Sequence, residues 1–494
     1  MMNMLQKISV LFLTVLFCAA SVFAKPVNQN TAKQAALNFL ESEISYVPAQ
    51  PLTLVKSATG IYIFSNDNCF VIISADDAGD PILAYSTESG FKTDNVSPEV
   101  NYMLANYSHQ INFIVKNQVP ATSAISTRWN NLINNTLPEH KNAVYITPLL
   151  KTSWDQAPYY NDLCPYDNYY AQRTVTGCVA TAMAQLMKYW NYPAQGQGYN
   201  SYADYNNLDN VDYGTLSVTF SNDTYDWTSM PTKLTASNTA VATLMYDCGI
   251  AVDMTYGVAT TGGSGAQVIP YGGGGRSGSG QKCAETALIN NFGYYSNTMK
   301  GLSRSSYPVD TVWMNLLETE LSQRHPVIYS GFDSVQEGHC FVFDGYNTTH
   351  NLFHVNWGWS GIYNGYFSIN NLNPGAGNIG AGIGSFNYDQ QAILGIQPPP
   401  TTTSGIETSS GNSGNIKVYP NPATDHISVD LSGISGKTQQ INILDIQGKL
   451  VYSLNPASDL NNVVINTSGI SNGVYIMQAV SGNGLETARV VIAR

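Results

Sequence analysis

Charge is what this chain has least of. Only 11% of its 494 residues are Asp, Glu, Lys or Arg, well under the ~25% of an ordinary soluble protein. The 22 cationic residues are outnumbered by 34 acidic ones, the net charge is −12, and no run of Lys or Arg occurs. A nucleic-acid binder needs clustered cations to displace phosphate counterions. Nucleic acid is therefore excluded as a partner, and an anionic membrane surface with it. Cysteine is sparse too: seven residues, widely spaced, without a CxxC pair. That spacing excludes a small disulfide-stapled scaffold and argues against zinc; no metal or organic cofactor is expected. Long apolar runs are missing as well. Ile8 to Ala20 is nearly unbroken but too short for a confident membrane span. With Lys7 before it and Val22-Phe23-Ala24 after it, it reads as a signal peptide cleaved after Ala24. An exported protein with no integral membrane span is expected.

What is present is apolar and aromatic: 43% hydrophobic residues, 32 Tyr and 42 Gly, ample for several cores. Residues 25–142 read as one small unit. Thr31 to Ser42 has a capping Thr and helical apolar spacing. Gly60–Phe64 and Cys69–Ser74 read as a hairpin turning at Asn66-Asp67-Asn68. A second helix is expected over Ser97–Asn117, then an exposed, cleavable connector over 118–142. Residues 143–397 form the largest unit. Gly177 to Trp190 predicts a helix, with Val179, Ala182, Met183, Leu186 and Met187 on one face. Residues 257–280 read as a mobile Gly/Ser-rich loop. The second half alternates as strands of an antiparallel sheet: PVIYSGF, CFVFDGY, LFHVNWGW and GYFSINNL. Residues 398–415 have linker composition. Residues 416–494 alternate apolar and polar between short turns, as in a small β-sandwich. The fold class expected for the whole is α+β.

Four residues carry the chemistry. Cys178 follows Gly177 and opens an apolar helix, whose unpaired N–H groups favour thiolate over thiol. The thiolate is the nucleophilic form. His339, after Gly338 and at the head of an apolar strand, is the candidate base. Asn356, in HVNWGW, could accept from the second ring N–H and fix the tautomer, with Trp357 roofing that bond. Gln156 could donate its amide to a developing oxyanion, the Cys178 N–H being the second donor. Taken singly, each has a structural explanation. Together, their order Gln, Cys, His, Asn is that of papain-like cysteine peptidases, although the local signature C-G-[SA]-C-[WY] is absent.

At these residues the sequence resembles the streptopain family of cysteine peptidases. The carriers are GCVATAMAQLMKYWNYP (177–193), YDCGIAVDMTYG (246–257), NNFGYYSN (290–297), GHCFVFDGY (338–346), HVNWGWSGIYNGYFSINNLNP (354–374) and GIGSFNYDQQAILGI (382–396). The resemblance implies a papain-like two-subdomain fold with a cleft between its halves. It implies Cys178 as nucleophile, His339 as base, Gln156 in the oxyanion hole, and Asn356 with Trp357 as one orienting site. It further implies substrate contacts at Gly338 and at Ser277, Gly278 and Ser279. The chain departs from the pattern over Thr260–Gly275, where the loop is longer, which leaves the S2 pocket open. It departs again at Cys340, a small residue in the family. The N-terminal unit resembles the inhibitory propeptide of these enzymes, which implies an intramolecular inhibitor released by a cut near Lys141–Val144. The C-terminal unit, with VYPNPATDHISVDL, ILDIQGKLVY and SGISNGVYIMQ, resembles the sorting domain of the type IX secretion system. That implies the type IX machinery as a partner and an outer-surface or extracellular destination; a carbohydrate-binding or adhesive sandwich is the alternative. The expected activity is a secreted endopeptidase acting on protein or peptide substrates. An amidase or acyltransferase using the same pair, or an inactive surface adhesin, remain the alternatives.

Overall fold

A computed structural model describes residues 24–94, 96–136, 145–206, 211–270, 282–332, 338–369, 388–400, 416–432, 438–445, 450–456, 462–481 and 484–494. The chain divides into two units, residues 1–400 and 401–494. The signal segment lies outside the described residues apart from Ala24.

The first unit begins with α1 (Gln29–Asn38), whose cap is Asn28 rather than Thr31: the Asn28 side chain accepts from Thr31 N. The hairpin expected next is present. Strands β1 (Thr53–Ala58), β2 (Ile61–Ser65), β3 (Phe70–Ser74) and β4 (Ile82–Ser86) pair in order. Asn66 Oδ1 shapes the β2–β3 turn by accepting from the N–H groups of Asn68 and Cys69. Helix α2 (Pro98–Lys116) starts on a Ser97 cap with Pro98 in its first turn. The exposed connector expected over 118–142 is helical in its described part, and the cut expected near Lys141–Val144 lies outside the described residues. Residues Ser123–Asn134 form α3, capped by Thr122 and burying Ile125, Trp129 and Leu132. Those three recur at helical spacing, and burying each stabilises by roughly 1.5–3 kcal/mol, which outweighs the polar composition of the stretch.

The remainder of the unit runs β5 (Tyr145–Ile146), the hairpin β6 (Tyr166–Asp167) and β7 (Gln172–Arg173), and α4 (Cys178–Trp190). The hairpin β8 (Asn200–Asn206) and β9 (Val211–Val218) follows, then α5 (Thr239–Ala251), α6 (Ala284–Asn290), β10 (Lys300–Ser303) and α7 (Asp310–Ser322). Last come β11 (Val327–Phe332), β12 (Gly338–Asn347), β13 (Leu352–Asn356), β14 (Gly365–Ser368) and β15 (Tyr388–Leu394). Helix α4 buries every residue from Val179 to Met187, not one face only, because α5 packs on one side of it and β12 on the other.

The N-terminal strands and the later ones join one antiparallel sheet, in the order β1-β2-β3-β4-β14-β13-β12-β11-β15-β10, with β5 on the end of β12. The junction is β4 against β14, pairing Tyr85 with Tyr366 and Ala84 with Phe367. One apolar core runs under the junction, so Ile61, Phe70 and Tyr107 belong to the same cluster as Trp154, Met183 and Trp357.

The second unit contains β16 (Lys417–Tyr419), β17 (His426–Asp430), β18 (Thr438–Asp445), β19 (Leu450–Leu454), β20 (Asn462–Asn466), β21 (Gly473–Ser481) and β22 (Gly484–Ile492). They form two sheets, β16-β17-β20 and β19-β18-β21-β22, over a shared core that includes Ile427, Ile443, Ile465, Met477 and Val490. This is the expected small sandwich.

Candidate active site

Gly177 caps α4 without any side-chain bond, and no acidic residue occupies the first turn. The N-terminal field of the helix is therefore unopposed at Cys178. Gly177 sits at φ +87°, and a Cβ there would lie 2.7 Å from the Met254 thioether and 3.1 Å from Ser264 O. Glycine is needed both for the left-handed backbone and for the close approach. Of the six described cysteines Cys178 alone is half-buried; the other five are buried.

Helix α4 lies against β12, and β12 opens with Gly338, which is exposed, and His339, which is buried. The His339 Nε2 is 3.0 Å from the carbonyl oxygen of Trp357. A carbonyl only accepts, so Nε2 carries a proton in this arrangement. The imidazole stacks on Trp359, with centroids 4.7 Å apart and planes 26° off parallel. Trp357 lies behind, parallel to Trp359 at 5.2 Å, its own indole N–H donated to Tyr363 O at 3.1 Å. The aromatic roof expected from Trp357 is thus formed first by Trp359.

Asn356 does not hold the second ring nitrogen of His339. Its Oδ1 accepts from Gln185 Nε2 at 3.0 Å and from Gly358 N at 3.2 Å, and its Nδ2 donates to Thr152 O at 2.8 Å. Strand register explains this: Asn356 pairs with Val342, three residues beyond His339, or about 10 Å along the strand. Asn356 instead fixes the turn that carries Trp357 and Trp359. Gln185 completes that network by accepting from Trp154 N at 3.1 Å. A glutamine flanked by Met183, Ala184, Leu186 and Met187 was the sequence signal that could have found it.

Gln156 is half-buried. Its carbonyl accepts from Thr176 N at 3.2 Å, which lays its segment alongside the approach to Cys178. Ser277, Gly278 and Ser279 lie outside the described residues. Cys340 is buried, and burial followed by the charge of Cys178 pushes its thiol well above the ordinary range. It is an inert filler beside His339.

The N-terminal unit grips the sheet beside this turn. Ser86 Oγ donates to Asn364 O at 2.6 Å, Tyr363 OH to Lys92 O at 2.9 Å and Tyr107 OH to Ser368 O at 2.8 Å. Asn364 Oδ1 in turn accepts from Trp357 N at 3.1 Å. His354, buried on β13, lies between Asp344 Oδ1 at 2.5 Å on Nδ1 and Glu88 Oε1 at 2.7 Å on Nε2. Burial alone would lower its pKa. The charge and hydrogen bond of Asp344, with those of Glu88, raise it to about 10.

Comparison with known proteins matches residues 24–111 to the Spi protease inhibitor, 154–367 to the peptidase C10 family and 417–493 to the secretion system C-terminal sorting domain. Streptopain of Streptococcus pyogenes is 30% identical over 427 residues, covering 80% of this chain and 99% of that protein. The thiol protease/hemagglutinin PrtT of Porphyromonas gingivalis is 28% identical over 421 residues, 79% of this chain and 44% of that protein. A prointerpain A fragment of Prevotella intermedia, solved as a cysteine-to-alanine mutant, superposes with a TM-score of 0.55 at 32% identity, covering 71% of this chain and 99% of the fragment. The sorting-domain match marks the chain for type IX secretion to the cell surface or beyond. With an inhibitor-like unit, a papain-like unit and a sorting tail in sequence, the chain belongs to the peptidase C10 family of cysteine peptidases.

Proposed function

We propose that the chain is a secreted endopeptidase zymogen in which Cys178 and His339 are the catalytic pair. The observation that carries this is the position of Cys178: the half-buried cysteine among the buried described ones, at a helix N-terminus without a side-chain cap, on a helix packed against the strand whose second residue is His339. The thiolate attacks the scissile carbonyl carbon. With Nε2 turned to the Trp357 carbonyl, Nδ1 of His339 exchanges the proton, taking it from the thiol and delivering it to the leaving amine. The Gln156 amide and the Cys178 N–H receive the oxyanion; loss of one such donor costs about 10²–10³ in kcat. Water then hydrolyses the acyl-enzyme. Asn356 and Trp357 act on His339 through the turn they fix, and Gly338 lines the cleft, together with the loop of Ser277, Gly278 and Ser279.

In this reading residues 1–24 direct export, 25–142 inhibit, 143–397 catalyse, 398–415 link and 416–494 engage the type IX machinery. Continuity of the sheet from β4 into β14 supports inhibition in cis. The test is stoichiometric labelling of processed protein by an epoxide thiol inhibitor, together with casein hydrolysis. Both are expected in the wild type and absent in Cys178→Ala. Processed wild-type protein that takes up no label refutes the assignment, and acyl-transfer products without casein cleavage favour an acyltransferase.

A further inference from the structure

One carboxylate joins the two halves of the site. Asp155 precedes Gln156, and its Oδ1 accepts from the Gln156 N–H at 2.7 Å. Its Oδ2 accepts from Ser360 Oγ at 2.6 Å. Ser360 follows Trp359, the residue stacked on His339. The same seryl residue donates its N–H to Trp154 O at 3.2 Å and accepts at its carbonyl from Lys233 Nζ at 2.8 Å. Its backbone is left-handed, φ +54°, between Gly358 at +76° and Gly361 at +81°. A turn so rich in left-handed residues has little conformational preference of its own, so its shape depends on the groups that clamp it. Asn356 and Asn364 clamp its start through Gly358 N and Trp357 N. Asp155 clamps its far end, and does so with the carboxylate that also fixes the Gln156 backbone.

We propose that Asp155 is a positioning residue for the reaction. Its two oxygens hold the Gln156 donor and the Trp359 stacking face at a fixed separation, so that oxyanion and imidazolium are served together. The proposal rests on the catalytic roles assigned above to Gln156 and His339. Asparagine should substitute in part: its Oδ1 keeps the Gln156 N–H, while its NH₂ can donate to Ser360 but cannot accept from it.

The experiment measures kcat and KM for a peptide amide on processed enzyme carrying Asp155→Ala, Asp155→Asn, Ser360→Ala, Gln156→Ala, Trp359→Leu, and the doubles Asp155→Ala/Gln156→Ala and Asp155→Ala/Trp359→Leu. Misplacement of catalytic groups by about an ångström costs on the order of 10²-fold. Asp155→Ala is therefore expected to lose roughly 10–100-fold in kcat with KM within about threefold. Asp155→Asn and Ser360→Ala should fall between it and wild type. Each double variant should be within about threefold of its Gln156→Ala or Trp359→Leu single, because groups that act as a unit are not additive. Additive losses, or a raised KM with unchanged kcat, overturn the proposal. If Asp155→Ala fails to mature, the near-isosteric Asp155→Asn carries the kcat test alone, and wild-type kcat in that variant overturns it equally. Absence of hydrolysis by the wild type would instead refute the peptidase reading.

Discussion

Replacing Glu88 with alanine should loosen the N-terminal unit in a way that depends on pH. The Glu88 carboxylate accepts from His354 at 2.7 Å, and its side chain is 39% exposed while that of His354 is 2% exposed. A hydrogen bond to a charged group contributes roughly 1.5–3 kcal/mol. Solvent screening of the exposed partner trims this to about 1–2 kcal/mol. Burial pushes the Glu88 carboxyl up, but the bond and charge of His354 and the charge of Lys151 bring it below its ordinary 4.5. Its contribution is thus present above that value and lost as pH falls through the lowered one. His354, raised from 6.5 to about 10, contributes fully below 6.5 and loses its share as pH climbs through about 10. Both contributions are full together only from roughly pH 5 to 6.5, and the His354 share declines from there to about pH 10. The assay is urea unfolding in a Cys178→Ala background, which guards against cleavage by the proposed nucleophile. All seven tryptophans precede residue 400, so their fluorescence reports the first unit without interference from the sandwich. Glu88→Ala should lower stability by about 1–2 kcal/mol at pH 7, Glu88→Gln by less, and both differences should shrink as pH falls below the ordinary 4.5. A difference at pH 7 that persists unchanged at low pH, or none at pH 7, would refute the reasoning.

Other substitutions test other parts of the structure. Gly177→Ala should destabilise by about 2 kcal/mol or more, from the left-handed backbone and the Met254 clash. It should also displace Cys178 enough to cut kcat at least ~10-fold; a thermal melt and active-site titration read the two effects. Asp247, on α5, accepts from Tyr225 OH at 2.8 Å. Burial, eased by that bond and reinforced by the charge of Asp223, raises its pKa from 3.8 to about 7. The folded chain thus retains a proton that the unfolded chain releases, and wild-type stability falls between pH 4 and 7. Asp247→Asn should match wild type near pH 4.5 and exceed it by about 1–2 kcal/mol at pH 8. Equal stabilities at pH 8 would count against that assignment.

Local signals told most of the fold. The hairpin at Asn66–Asn68, the Ser97-Pro98 start of α2 and the Gly177 boundary of α4 are all written in short-range chemistry. So are the positions of Cys178 and His339 at the ends of their elements. What escaped was either non-local or masked by composition. The pairing of Tyr85 with Tyr366 joins strands far apart in the chain, and no periodicity encodes it. Helix α3 hid its three apolar anchors among asparagines and serines. Asn356 was assigned to His339 by order along the chain, but strand register, which order does not contain, turned its amide toward Gln185. Trp359 was visible in HVNWGWSG, yet which of the two tryptophans meets the imidazole depends on the left-handed turn between them.

The junction of the great sheet has a mechanical consequence. β4 meets β14 through only two residue pairs, whereas β2 and β3 share five and β11 and β12 share six. A sheet under load parts at its shortest ladder, so on the proposed zymogen reading a cut in the connector would let the first four strands detach as a block, like a page leaving a binding, without fraying the strands that carry His339. The border left behind is a four-residue strand, and edges that short recruit foreign strands poorly. On that reading, the same brevity that would let the inhibitor leave would spare the freed enzyme from sticking to its neighbours.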